Sequence, residues 1–246
     1  MRTTNHTVLI TGGASGIGLA LARRFVNDGS TVIVCGRREG KLREAKNIDG
    51  RLNTLVADVS TSDGRAALVE AALRHFPGLN VLVNNAGIQR RIRLADQEPW
   101  DVTREELATN LDAPIHLTRL LLPQLISKPD SAIINITSGL AFAPLARTPV
   151  YSATKAALHS FTLSLRQQLN DTPVKVIEIA PPAVDTDLGG PGLHTFGVNV
   201  DEFADATFAR LAGEDLEIGY GFGESARTAS RAELDQLFVR INDAQP

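Results

Sequence analysis

The stretch that decides the fold reads Thr11-Gly12-Gly13-Ala14-Ser15-Gly16-Ile17-Gly18, a glycine-rich turn between a short apolar strand and the start of a helix. Glycines at such a turn let the backbone approach a pyrophosphate closely, and the free N–H groups that open the helix bind the anion. Gly13 and Gly18 are also spaced like the glycines of an NTPase phosphate loop, but Leu19 occupies the place of the lysine that such a loop needs. The position directly after the first strand favours a dinucleotide site over a plain turn.

Around this turn, short runs of β-branched and aliphatic residues alternate with helical patterns, which is typical of βαβ units. The pattern predicts strands over residues 7–11, 31–35, 52–57, 80–83, 132–137, 174–179 and 217–219. It predicts helices over residues 17–28, 41–47, 64–75, 103–126, 150–170, 201–212 and 232–241. We therefore predict an α/β fold, a doubly wound Rossmann-like parallel sheet flanked by helices on both faces in three αβα layers.

Every connection up to residue 187 is short, so no interdomain linker is expected there. We predict that residues 1–246 form a single domain. The Gly- and Pro-rich residues 188–200 are predicted to form a substrate loop or lid.

Composition and charge exclude several classes of protein. The net charge of −3 argues against a nucleic-acid partner, which needs a strongly basic surface. Cys35 stands alone, which is typical of a reducing compartment, so we expect a cytoplasmic protein. The five histidines show no metal-ligand spacing, and no apolar run reaches the roughly 18 residues of a membrane span. We therefore expect neither a metal site nor a membrane segment.

The end of the second predicted strand indicates which dinucleotide binds. In this type of fold that position, about 20 residues after the glycines, faces the adenine ribose, and NAD sites place an acidic residue there. This chain instead has Cys35-Gly36-Arg37-Arg38, and a guanidinium pairs with a 2′-phosphate through charge-assisted hydrogen bonds. We predict that Arg37 and Arg38 bind NADP(H) in preference to NAD(H). A solvated helix start is the alternative explanation for the two arginines.

Tyr151 and Lys155 are four positions apart, which places both side chains on one face of a helix. A phenol needs a nearby cation to act as an acid or base near neutral pH, and the lysine offers one. Ser138 follows a predicted strand, at the edge where open α/β sheets bind ligands. Ile136 replaces the glycine of a nucleophile elbow, so Ser138 is better suited to hydrogen bonding than to nucleophilic attack. Taken alone, the Tyr–Lys pair is also compatible with an exposed helix face.

Several motifs in the same order resemble those of the short-chain dehydrogenase/reductase family. They are the turn at residues 11–18, Asp58-Val59, Asn84-Asn85-Ala86-Gly87, Asn110, Ser138, Tyr151 and Lys155. More narrowly, residues 32–42, 138–145 and 180–187 resemble DltE-type oxidoreductases.

The resemblance implies a catalytic role for Asn110, Ser138, Tyr151 and Lys155. Tyr151 would give a proton to a substrate carbonyl, Ser138 would polarise that carbonyl, and Lys155 would hold the nicotinamide ribose and lower the pKa of Tyr151. Asn110 would support a water that links Lys155 to solvent. Cofactor contacts are implied for Gly12, Ser15, Gly16, Ile17, Gly18, Arg37, Arg38, Asp58, Val59, Asn85, Ala86, Gly87, Tyr151, Lys155, Pro181, Val184 and Thr186.

The resemblance also limits the substrate. Enoyl reductases of this superfamily use a wider Tyr–Lys spacing that would place the lysine at position 158, where this chain has Leu158, so carbonyl or alcohol chemistry is favoured. Pro182 stands where the family usually has glycine, which changes the contour of the pocket. The predicted substrate residues are mostly apolar and favour a hydrophobic substrate: Leu140, Phe142, Pro182 and Leu188.

Three further expectations remain open at this stage. The basic residues 89–93 fit a solvated loop or a subunit contact better than an anion site. A homodimer or homotetramer is expected by resemblance. The main function predicted is an NADP(H)-dependent oxidoreductase that interconverts a carbonyl and an alcohol on a small substrate, and the alternative is a non-catalytic dinucleotide sensor with the same fold.

Overall fold

Seven strands form one sheet, and the computed structural model describes residues 1–243 of the chain. The strands are β1 (Thr7–Thr11), β2 (Thr31–Gly36), β3 (Asn53–Val56), β4 (Val81–Asn84), β5 (Ser131–Ile136), β6 (Val174–Ala180) and β7 (Glu217–Gly219). Their order is β3-β2-β1-β4-β5-β6-β7, and all six pairings between neighbours are parallel. The order reverses between β1 and β4, so the loops after these two strands diverge and leave a crevice at the carboxyl edge of the sheet.

Helices cover both faces of this sheet. They are α1 (Gly16–Asn27), α2 (Glu39–Ile48), α3 (Ser62–His75), α4 (Trp100–Leu107), α5 (Ala113–Ile126), α6 (Pro149–Gln168), α7 (Val200–Leu211), α8 (Phe222–Thr228) and α9 (Arg231–Asp243). None of these helices in residues 1–243 has the length and apolar character needed to cross a bilayer.

The core consists of two apolar layers because successive side chains of a strand point to opposite faces. In β1, Val8 and Ile10 pack in one layer and Leu9 packs in the other. The first layer takes its helical residues from α1, α2 and α7, including the fully buried Phe25 and Phe203. The second takes them from α3, α5 and α6. Burial on both faces explains why the strands read as continuous apolar runs, and the predicted doubly wound αβα fold is confirmed.

The prediction of one continuous helix over residues 103–126 is wrong in one respect. A π-helical segment, Ala108–Asp112, separates α4 from α5. Pro114 lies in the first turn of α5 and has no N–H to donate to the carbonyl of Asn110, four residues earlier. The wider turn therefore occurs where the regular hydrogen-bond ladder is broken, and Asn110 lies inside it.

Helix α8 was missed because Gly221 and Gly223 make its sequence resemble a loop. Gly223 is required by packing, since a Cβ at this position would lie 2.0 Å from the carbonyl oxygen of Ala180. Neither backbone can retreat without breaking the contact between α8 and the end of β6.

We expect Gly223→Ala to lower the free energy of unfolding by at least about 1–3 kcal/mol, because the added methyl group overpacks a backbone contact. Urea denaturation measures the change. The matched control is Gly40→Ala in the exposed helix α2, where a Cβ would meet nothing within 4 Å. Alanine's better helix propensity should leave that variant as stable as the wild type or up to about 1 kcal/mol more stable. Equal stability of both variants would contradict the packing of α8 described here.

Candidate active site

The loops after β1 and β4 are held together at the crevice by Thr11 and Asn85. The Thr11 hydroxyl accepts hydrogen bonds from the backbone N–H groups of Asn85 (3.0 Å) and Ala86 (3.0 Å) and donates to the carbonyl of Val83 (3.3 Å). The Asn85 amide donates to the carbonyls of Thr11 (2.8 Å) and Gly12 (3.2 Å). These bonds fix the glycine-rich turn against the Asn-Asn-Ala-Gly segment, as two parts of one site.

The glycine-rich turn forms a cradle that side chains would fill. Gly12 and Gly16 have φ of 63° and 53°, the left-handed conformation that favours glycine. A Cβ at Gly12 would lie 2.9 Å from the Cα of Ala86, and one at Gly16 would lie 3.2 Å from Cγ2 of Thr186. The hydroxyl of Ser15 makes no capping bond to α1, so the first-turn N–H groups of this helix have no side-chain acceptor. Open backbone donors beside a cleft without side chains fit a dinucleotide pyrophosphate.

At the predicted adenosine end of the site, Arg37 is already paired with carboxylates. Its Nη1 donates to Oε1 of Glu105 at 2.7 Å and lies 3.9 Å from Oδ2 of Asp58. Glu105 also forms an ion pair with Arg90. Arg38 is exposed and takes part in no ion pair within residues 1–243. Glu105 therefore connects the predicted 2′-phosphate site with the loop that follows β4, a link that the sequence did not reveal.

Ser138, Tyr151 and Lys155 all have buried side chains, and both Ser138 and Lys155 lie close to Tyr151. Ser138 directly precedes a short 3₁₀ turn after β5, and its hydroxyl accepts from the N–H of Leu140 at 3.1 Å. Tyr151 and Lys155 lie on α6, and the ammonium of Lys155 is 5.5 Å from the centre of the Tyr151 ring. Lys155 also donates to the carbonyl of Ile136 at 2.8 Å, which directs its charge toward the end of β5.

Burial dominates the pKa of Tyr151 in this structure, and the expected lowering of that pKa by Lys155 stays a prediction. Burial raises the pKa of Tyr151 well above its usual value, and the nearby charge of Glu106 raises it further, while the Ser138 hydroxyl acts in the opposite direction. Burial also lowers the pKa of Lys155 to about 8. Desolvation therefore exceeds the effect of the cation at this site.

Asn110 positions the loop after β4. Its side-chain Oδ1 accepts from the N–H of Ile88 at 2.9 Å, and its Nδ2 donates to the carbonyl of Ile88 at 2.8 Å and to the hydroxyl of Thr154 at 3.3 Å. The π-helical segment thus links this loop to α6. Beside it, a Cβ at Gly87 would lie 3.7 Å from Nζ of Lys155, an ordinary contact distance, so Gly87 adjoins both Asn110 and Lys155.

Glu106 is a site residue that the sequence reasoning missed. It is fully buried on α4, Oε1 accepts from the N–H of Arg90 at 3.3 Å, and Oε2 has no hydrogen-bond partner within residues 1–243. Burial raises the pKa of this carboxyl to about 7. The available signal was its position four residues before Asn110, which places both on one side of consecutive helical turns.

The predicted substrate residues follow two neighbouring strands: Leu140 and Phe142 come after β5, and Pro182 and Leu188 come after β6. The Phe142 ring packs edge to face on His159 at 4.7 Å, and His159 bonds the buried carboxylate of Glu178 at 2.7 Å. Leu140 and Pro182 are half-buried, and Leu188 is half-buried in the loop after β6. Their contact with a substrate stays a prediction.

The loop after β6 is closed at its base and approaches the loop after β4. A bridge between Val184 and Val198 joins its two ends. At its tip, a Cβ on Gly189 would lie 3.2 Å from the carbonyl of Gln89. Among residues 1–243, no three His, Cys, Asp or Glu side chains come together as a metal site.

Comparisons with known proteins support the family resemblance and the fold. The sequence pattern of the family described as short chain dehydrogenase matches residues 6–193. The uncharacterized oxidoreductase DltE of Bacillus subtilis (strain 168) is 48% identical over 248 residues, which cover 98% of each chain. The predicted resemblance to DltE-type oxidoreductases is thereby confirmed.

Two solved structures show the same fold. A short-chain dehydrogenase from Sphingobium yanoikuyae in complex with NADPH has a TM-score of 0.81 and 27% identity, with 98% of each chain covered. A 3-ketoacyl-(acyl-carrier-protein) reductase from Brucella melitensis complexed with NADH has a TM-score of 0.81 and 26% identity, with 90% of this chain and 100% of that chain covered.

The two neighbouring glutamates of α4 give opposite pH dependences of stability. Because the folded-state pKa of Glu106 is raised from 4.5 to about 7, its contribution to stability is full at low pH and is lost as the pH rises through that window. Glu106→Gln imitates the protonated carboxyl. Between pH 4.5 and 7, the free energy of unfolding of Glu106→Gln should therefore rise relative to that of the wild type by about 2–3 kcal/mol.

Glu105→Gln is the matched control with the opposite sign. Arg37 lowers the pKa of Glu105 through a hydrogen bond, so its contribution is present at neutral pH and is lost as the pH falls below 4.5. Urea denaturation from pH 3 to 8 measures both differences. Parallel pH profiles for wild type and Glu106→Gln would contradict the burial of an ionisable Glu106.

Proposed function

We propose that this chain, which belongs to the short chain dehydrogenase family, is an NADP(H)-dependent oxidoreductase that interconverts a carbonyl and an alcohol with Tyr151 as acid and base. The proposal rests on one observation: the buried side chains of Ser138 and Lys155 both lie close to Tyr151. Asn110 is proposed to position Lys155 and the loop after β4. A non-catalytic sensor would have no chemical use for this set of residues.

The site supports a nicotinamide cofactor, which when bound supplies or accepts a hydride. The proposed pyrophosphate contacts are the backbone groups of Gly12, Ser15, Gly16, Ile17 and Gly18. Asp58, Val59, Asn85, Ala86 and Gly87 are proposed for the adenosine and ribose, and Pro181, Val184 and Thr186 for the nicotinamide end. A Cβ built on Gly16 would lie 3.2 Å from Cγ2 of Thr186, so the glycine-rich turn adjoins the loop after β6, which supports this division.

The protonation states of the side chains fit carbonyl reduction. The raised pKa of Tyr151 keeps the phenol protonated at neutral pH, as a proton donor to a carbonyl oxygen must be. The hydroxyl of Ser138 can donate to the same oxygen and stabilise the negative charge that develops on it. When Tyr151 gives up its proton, the nearby Lys155 ammonium stabilises the phenolate that remains.

We propose that Arg37 and Arg38 favour NADP(H). Related structures contain NADPH in one case and NADH in another, so the family does not decide the choice. The 2′-phosphate carries more negative charge than either of the two carboxylates, Glu105 and Asp58, that now face Arg37, and it can take their place. Arg38 offers a second guanidinium that pairs with no carboxylate of the described residues.

A homodimer or homotetramer and a cytoplasmic location stay predictions, and light scattering would test the assembly.

Tyr151→Phe should lower kcat/KM for NADPH-dependent reduction of a panel of ketones and aldehydes by about 10²–10⁴-fold, because the proton donor is removed. Oxidation of NADPH is followed by absorbance. Tyr220→Phe is the matched control, since the Tyr220 hydroxyl binds the exposed carboxylate of Glu202 instead. Binding of NADPH without turnover of any carbonyl by the wild type would favour the sensor, and full activity of Tyr151→Phe would refute the assigned acid.

Arg37→Ala should weaken the binding of NADPH about 10–100-fold, which is the loss expected for a charge-assisted hydrogen bond to the 2′-phosphate. The affinity for NADH should change little. Fluorescence titration of the two dinucleotides gives both dissociation constants. Arg43→Ala removes an arginine of the same region that pairs with Glu39 on exposed α2 and should alter neither affinity. Equal loss for NADPH and NADH would show that Arg37 does not hold the phosphate.

A further inference from the structure

Three loops meet at the open side of the site, because they follow the adjacent strands β4, β5 and β6. The N–H of Ile92, after β4, donates to the carbonyl of Arg147, after β5, at 3.1 Å. Gly189, after β6, adjoins Gln89. The three loops together form the rim through which a substrate reaches Tyr151, which follows Arg147 by four residues.

Two arginines at this rim lack counter-ions. Within residues 1–243, Arg91 and Arg147 take part in no ion pair, whereas the neighbouring Arg90 pairs with Glu105. Arg147 is half-buried, and its pKa is lowered by that burial and by the charge of Arg91. Two like charges on loops that are hydrogen-bonded to each other, one of them partly desolvated, are held at an energetic cost that a bound anion would relieve.

The backbone around Arg147 is fixed from several directions. The Asn242 side chain of α9 accepts from the N–H of Ala146 at 2.7 Å and donates to the carbonyl of Pro144 at 3.1 Å. The N–H of Leu145 donates to the hydroxyl of Ser152 on α6 at 3.2 Å. The guanidinium of Arg147 thus extends from a rigid segment, and such preorganisation favours specific binding.

His194 adds a third group to the same rim from the loop after β6. It is half-buried, and within residues 1–243 its Nδ1 is buried without a hydrogen-bond partner. Burial lowers the pKa of His194, and Arg91 and Arg147 lower it further, so these charges lie within electrostatic range of the imidazole. A hydrogen bond with the backbone of Leu188 and the charge of Asp185 act on this pKa in the opposite direction. An imidazole can also hydrogen-bond an anion when its free ring nitrogen carries the proton.

We propose that the substrate carries an anionic group, a carboxylate or a phosphate ester, which Arg147 and Arg91 bind at this rim while Ser138 and Tyr151 hold its carbonyl. The inference rests on the proposed function, because it assigns a substrate class to the same site. Half-buried Leu140 and Leu188 suit an apolar stem between the two polar ends. The substrate is therefore amphipathic, which revises the purely hydrophobic compound expected from the sequence.

The test compares 4-carboxybenzaldehyde and 4-formylphenyl phosphate with the neutral methyl 4-formylbenzoate as substrates for NADPH-dependent reduction. We expect the wild type to prefer at least one anionic aldehyde over the ester by tenfold or more in kcat/KM. The larger preference identifies carboxylate or phosphate as the group bound. Equal kcat/KM for all three aldehydes would overturn the proposal.

Arg147→Met and Arg91→Met should each raise KM for the preferred anionic aldehyde about tenfold or more, with kcat and the turnover of the ester unchanged. Arg91 is exposed, so its variant tests the proposal even if Arg147→Met folds poorly. Arg104→Met is the matched control, because Arg104 is an exposed arginine of α4 that faces Asp101. Equal losses for anionic and neutral aldehydes in the Arg91 and Arg147 variants would overturn the proposal.

A binding measurement separates this inference from the proposed function. Ligand-observed NMR should show that benzoate or phenyl phosphate binds the wild type, that benzyl alcohol does not, and that Arg147→Met or Arg91→Met loses the anion. Arginine-dependent anion binding without turnover of any aldehyde would overturn the proposed reaction while it supports the anion site. Anion binding that is unchanged in both variants would overturn the anion site whatever the turnover.

Discussion

The hydrogen bonds of Thr11 and Asn85 join the ends of β1 and β4, and the geometry of the whole site depends on this junction. It lies where the strand order reverses, so the crevice is a consequence of topology and needs no loop of unusual length. A single hydroxyl accepts two backbone N–H groups there, while one amide satisfies two carbonyls. The backbone of the glycine-rich turn is thus satisfied internally at the end of β1, and its first-turn N–H groups remain open for a ligand.

Burial, more than pairing of opposite charges, sets the ionisation states of the site. Desolvation raises the pKa of Tyr151 and Glu106 and lowers that of Lys155, so each of these groups is shifted toward its neutral form. One residue away from Glu106, Glu105 contacts two arginines and stays ionised. The pKa values of these two consecutive glutamates therefore shift in opposite directions, because their side chains have different surroundings.

The sequence predicts those features that depend on local pattern. Apolar runs locate the strands, since residues such as Leu9 and Ile10 are buried on both faces of the sheet. The spacing of Tyr151 and Lys155 predicts a shared helix face, which the structure has. Features that depend on distant neighbours were missed: α8 is helical because Gly223 packs on β6, and Arg37 meets a carboxylate 68 positions away. The high pKa of Tyr151 follows from complete burial, which no spacing of residues reveals.

The attachment of α9 to the rim has a consequence for how the protein becomes active during its synthesis. Asn242 forms its hydrogen bonds with a loop that lies 96 positions earlier in the chain. The segment that carries Arg147 can be translated and folded onto the sheet well before its last contacts exist. These contacts therefore form only when α9 has left the ribosome, and a chain that lacks α9 would lose the hydrogen bonds to Pro144 and Ala146.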